Sequence, residues 1–142
     1  MRKRNRFIPH KNPITAIGPI ILKDLLTKIT TAATDKFGAQ YAEARAQHIA
    51  KTMLTLKEER VEAAKQGIEN GVAIRVLVNG AWGFASVGSL DAAILEGALS
   101  DACRMAKLAS TRLKTPIKLA PSKAVEDHVT VKPKKDPSEV SV

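Results

Sequence analysis

Gly71-Val72-Ala73-Ile74-Arg75-Val76-Leu77-Val78-Asn79-Gly80-Ala81-Trp82-Gly83-Phe84-Ala85-Ser86-Val87 is the stretch that decides the fold. Val72, Ile74, Val76 and Val78 alternate with other residues, the period of a strand with one buried face. Asn79-Gly80 follows at once, and both residues accept positive φ, so the chain reverses in a two-residue hairpin. Ala81–Val87 is the return strand. Trp82 and Phe84 share one of its faces and are expected in the core; facing solvent instead, they would form a binding surface. Gly83 lies between them on the other face, where a neighbour can approach closely.

Working outward, Tyr41–Gln47 also alternates: Ala42, Ala44 and Ala46 point one way, and Tyr41, Glu43, Arg45 and Gln47 the other. This reads as a strand whose small face suits a packed helix, although alanine is a poor strand former. Thr52–Lys57 reads as a second strand, Glu58-Glu59-Arg60 as a polar turn, Val61–Ala64 as a short strand and Lys65–Asn70 as a loop. A helix over 57–66 competes, because its Glu, Lys, Arg and Ala residues are good helix formers.

Helices flank these strands. Pro19 is suited to a first helical turn. Leu22, Leu25, Leu26, Ile29, Ala32, Ala33 and Phe37 then recur at helical spacing until Gly38, a natural stop. A second helix is predicted from Leu90 to about Ser110, with Ser89 as its N-cap and Asp91 in its first turn. Beyond it, Ile117–Ala120 is a short candidate strand and His128–Val131 is read as extended. Helix, hairpin-linked strands, helix gives an α+β fold: an antiparallel sheet with a tight Asn-Gly hairpin, flanked by two amphipathic helices.

The chain has 142 residues, enough for one core but not for two catalytic domains. Its net charge is +9, and residues 1–13 hold five of the 23 basic residues and no acid. Arg2, Lys3, Arg4 and Arg6 mark this as a basic arm. A second basic run, Arg104 to Lys123, contains no acid. Basic patches of this kind suit nucleic acid or an acidic protein, though a disordered basic tail and a solvated helix end, where cations suit the dipole, are the more ordinary reading. Only 4% of residues are aromatic, which argues against a base-stacking surface. No run of 18 apolar residues exists, so no membrane span is expected. One cysteine excludes an internal disulfide and fits a reducing, cytoplasmic setting.

The chemistry-bearing residues do not converge. There is no Gly-x-Ser-x-Gly elbow and no phosphate loop. His10, His48, His128 and Cys103 lack metal-ligand spacing. Glu58 and Glu59 are neighbours at a solvated turn. Arg104 and Lys107 are placed to lower the Cys103 pKa, yet a buried cysteine on a helix is the more ordinary reading.

The 71–86 stretch closely resembles the N-terminal domain of the TldD/PmbA family, also called modulators of DNA gyrase. The family pattern is Gly-Val-x-Ile/Val-Arg-Val, a turn, then Gly-x-Trp-Gly-Phe-Ala-Ser. Tyr41-Ala42-Glu43-Ala44-Arg45 is similar to the family's Ala-Glu-x-Arg strand. The matching residues are Ala42, Glu43, Arg45, Gly71, Arg75, Gly80, Trp82, Gly83, Phe84, Ala85 and Ser86. The resemblance runs in order over about residues 20–142.

The resemblance implies a metalloprotease acting on peptides or unfolded segments, with zinc held by a His-Glu-x-x-x-His helix and a later cysteine. This chain has no His-Glu pair, so no catalytic or metal residue is assigned and no cofactor is expected within it. The layout that follows is a flexible basic arm (1–18), a TldD/PmbA-like domain (19–121), and an extended tail (122–142) leading toward a catalytic portion. The expected role is scaffold, peptide docking, and contact with a homo- or hetero-dimeric TldD/PmbA-like subunit. The alternative is a stand-alone binding module whose basic arm meets nucleic acid or an acidic protein.

Overall fold

The computed structural model describes residues 19–135. In chain order it contains α1 (Pro19–Phe37), β1 (Tyr41–Lys57), β2 (Arg60–Val78), β3 (Ala81–Val87) and α2 (Ala92–Ser110). The strands form one antiparallel sheet in the order β1-β2-β3. The fold is α+β, with both helices on one face of the sheet.

Local chemistry sets the element ends. At the end of α1, Gly38 has φ +69, the N–H of Ala39 donates to the Ala33 carbonyl at 3.0 Å, and that of Gly38 to Thr34 at 3.2 Å. This is the left-handed cap that glycine makes without a Cβ penalty. The β2–β3 turn has Asn79 at φ 51 and Gly80 at φ 75, as its sequence implies. The expected Ser89 cap is corrected: helix α2 is capped by Asp91, whose carboxylate accepts from the N–H groups of Ala93 and Ile94 at 2.9 and 3.1 Å. Ser89 instead accepts from the Asp91 N–H at 3.1 Å, one step outside the helix.

The core lies between the sheet and the helices. Val72, Ile74, Val76 and Val78 are buried against Leu95, Leu99, Ala102, Cys103 and Ala106 of α2 and Ile29 and Ala33 of α1. Ala42, Ala44 and Ala46 pack against the same cluster. Their small side chains let α1 close on the edge strand β1, which outweighs the weak strand propensity of alanine. Gly83 serves the same purpose for α2: a Cβ there would stand 1.9 Å from the Ala102 carbonyl oxygen.

The separate strands and the 65–70 loop expected between Thr52 and Asn70 are corrected to one long hairpin. Its register runs unbroken from Tyr41↔Leu77 to Thr55↔Ala63, then shifts at a bulge to Leu56↔Val61 and Lys57↔Arg60. The competing helix over 57–66 does not form. Glu58 and Glu59 make the turn at φ 49 and 63, the positive values a two-residue hairpin requires. A 19-residue helix covers only about 28 Å, whereas 17 strand residues extend about 56 Å. Roughly the outer half of this hairpin therefore projects past the helices as a two-stranded arm. Its polar residues face water at no cost, so burial imposes no period on them.

After α2 the chain from 111 to 135 carries no helix or strand, which corrects the strand expected at Ile117–Ala120. The Ile117 N–H donates to the Gly80 carbonyl at 2.9 Å, and a Cβ on Gly80 would meet Pro116 at 2.5 Å. Pro116 and Pro121 bracket the segment and lack the N–H groups a ladder needs. Val129 and Val131 are exposed, and among the described residues no strand pairs with them. Among the described residues no helix is long and apolar enough to cross a membrane.

Candidate functional site: the open face of the sheet

Because β-strand side chains alternate, every residue that does not face the helices emerges on the opposite, uncovered face. Register places them in rows. Tyr41, Leu77 and Trp82 form one row; Glu43, Arg75 and Phe84 the next; Arg45, Ala73 and Ser86 the third; Gln47 and Gly71 the fourth.

The first two rows interlock. The Tyr41 hydroxyl donates to a Glu43 carboxylate oxygen at 2.8 Å, and Arg75 Nε donates to the other at 3.0 Å. The Arg75 guanidinium lies over the Trp82 ring, 4.7 Å from its centroid. Trp82 meets Tyr41 edge-on at 5.9 Å, the geometry aromatic quadrupoles favour. Leu77, beside these two rings in its row, is only 2% exposed. The four side chains form a closed circuit.

The circuit fixes protonation states. Burial alone would raise the Glu43 pKa, but the hydrogen bonds from Tyr41 and Arg75 outweigh it and hold the carboxyl below its ordinary range. Tyr41 moves up, chiefly because its hydroxyl donates to Glu43 and also because it is partly buried. A carboxylate held ionised and a phenol held protonated do not make a general base or a nucleophile at neutral pH. The four side chains hold one another in place on this face.

The third and fourth rows form a trough. Gly71 and Ala73 give it a low floor, and Arg45, Gln47, Ile49, Glu69 and Ser86 line it, around a cavity of about 250 Å3.

The motif residues thus divide by face. Glu43, Arg45, Gly71, Arg75, Trp82, Phe84 and Ser86 lie on the open face, Ala42, Gly83 and Ala85 on the helix face, and Gly80 in the turn. The core placement expected for Trp82 and Phe84 is corrected: Trp82 is half-buried and Phe84 is 52% exposed. The reason is parity, since Gly83 takes the helix face and its neighbours must take the other. Strand period already places Tyr41 and Gln47 on this face with Glu43 and Arg45, whereas Leu77 joins them only through its pairing with Tyr41. Arg2, Lys3, Arg4 and Arg6 lie outside the described residues.

The zinc implied by the resemblance finds no donor set among the described residues, where no three His, Cys, Asp or Glu side chains converge. His48 Nδ1 is hydrogen-bonded to Asn70. Cys103 is buried in the core, the more ordinary of its two readings, and burial raises its pKa although the nearby Lys107 acts to lower it.

Residues 42–109 match the family described as PmbA/TldA metallopeptidase domain 1. The chain is 30% identical over 102 residues to Metalloprotease MJ0996 of Methanocaldococcus jannaschii, covering 72% of this chain and 23% of the relative. The crystal structure of TldE from Thermococcus kodakarensis superposes with a TM-score of 0.50 at 19% identity, over 80% of this chain and 24% of that one. The chain spans about a quarter of the length of each. The folded unit is an N-terminal domain of the TldD/PmbA family.

Proposed function

We propose that this domain is the non-catalytic N-terminal part of a TldD/PmbA-like metallopeptidase acting on peptides or unfolded segments. It supplies a scaffold, a contact for a TldD/PmbA-like subunit, and a face for peptide docking. The observation that carries this reading is the open face, where seven family-motif residues lie opposite the side that the described helices pack against. Uncovered sheet faces bearing ordered aromatic and Arg side chains are the usual material of recognition surfaces. In this reading the domain layout is a basic arm over 1–18, the folded domain over 19–121 and a tail beyond, and the zinc belongs to the peptidase portion.

The test mixes the purified chain with a family subunit carrying the His-Glu-x-x-x-His helix. Association is followed by sedimentation velocity, and cleavage of an unfolded casein is followed in parallel. Association with wild-type chain, weakened by Phe84→Ser, is expected. Absence of association at micromolar concentrations contradicts the reading.

A further inference from the structure

Three polar side chains on the open face are not used by the fold. Arg45, Gln47 and Ser86 make no side-chain hydrogen bond or ion pair among the described residues, although Arg45 and Ser86 are motif positions. All three line the trough over Gly71 and Ala73. The neighbouring charges are already engaged. Glu43 and Arg75 are paired at 3.0 Å, and both oxygens of Glu69 lie 2.6 Å from Lys51 Nζ.

We propose that this trough binds a carboxylate side chain of an extended peptide, a role that rests on the peptide-docking reading above. The site offers one guanidinium, one amide and one hydroxyl, donors suited to a single negative charge. A dianionic phosphate is a poorer match, because Arg45 is the only cation among the lining residues and Glu69 is one of them. The floor accounts for the rest of the ligand. Gly71 and Ala73 leave room for an aliphatic stem, and Phe84, outside the lining but one row along β3 from Ser86, presents an exposed ring on the same face. An Arg-carboxylate bond in a shallow trough is a weak docking contact, which suits a surface that must release its peptide.

The experiment is a titration of the 15N-labelled 142-residue chain, read from amide shifts. The probe is N-acetyl-Ala-Glu-Ala-amide, with N-acetyl-Ala-Gln-Ala-amide as its neutral partner. The Glu peptide is expected to give saturable shifts at Arg45, Gly71, Ala73 and Ser86. The Gln peptide, and the Arg45→Gln chain with the Glu peptide, should bind at least tenfold more weakly. Arg45 is exposed, and retained spectral dispersion in the variant will report its fold. Equal affinity for the two peptides, shifts confined to the arm or helices, or no saturable shift overturns the proposal. These outcomes are independent of subunit association, so failure here leaves that part of the functional reading standing.

Discussion

A Cβ on Gly83 would lie 1.9 Å from the carbonyl oxygen of Ala102, so strand β3 and helix α2 touch backbone to backbone. Neither side can yield by a rotamer change. Gly83→Ala is expected to destabilise the domain by about 3 kcal/mol, the upper range for overpacking. Gly97 is the control: it lies in the same helix with nothing near its Cβ position, and Gly97→Ala should stabilise by about 0.5–1 kcal/mol. Urea denaturation of the two variants against wild type measures both.

The Glu43 circuit predicts an acid-sensitive contribution to stability. The folded pKa of Glu43 is depressed, so its contribution is present above the unfolded value of about 4.3 and is lost as pH falls through the folded value. Glu43→Gln removes that dependence. The stability difference between wild type and variant should be constant from about pH 7 to 5 and shrink below about 4.3. A difference independent of pH would mean that Arg75 and Tyr41 do not favour the ionised carboxylate.

Cys103 gives a direct report on core closure. Its thiol is buried and its pKa is raised by that burial. Thiolate is the reactive form, so iodoacetamide at pH 7.5 is expected to leave the native chain unmodified over hours. Modification should become rapid in denaturant. Fast alkylation of the folded chain would contradict the placement of α2.

The legible and illegible parts of this fold separate by burial. Val72 to Val78, Asn79-Gly80 and Gly38 announced themselves because a buried face or a positive φ restricts the residues allowed there. The arm did not, because its Lys51, Gln66 and Glu69 face water and obey no period. The circuit of Tyr41, Glu43, Arg75 and Trp82 was illegible for a different reason. It exists only through register, which joins residues from three strands and cannot be read from any one of them. Trp82 and Phe84 were assigned to the core on their chemistry, yet Gly83 already carried the information that they face the other way.

The arm itself should be dispensable for folding. Leu54, Leu56, Val61 and Ile68 are exposed, and the buried cluster contains no residue from 50 to 68. Replacing residues 51–67 with Asn-Gly, so that Ala50 turns directly to Ile68, is expected to change the melting temperature by only a few degrees, about 1 kcal/mol at this size. In the wild-type chain, amides of 50–68 should exchange with solvent long before those of 72–78. A collapse of stability on deletion would show that the arm carries core contacts.

The central proposal is that this domain of a metallopeptidase family is the non-catalytic part of its protein; among the described residues no three His, Cys, Asp or Glu side chains converge. The most direct measurement is cleavage of an unfolded casein by the purified 142-residue chain, with added zinc and after chelation. The account predicts no cleavage above the buffer blank in either condition. Cleavage that requires zinc, copurifies with the chain and is lost on chelation would contradict it.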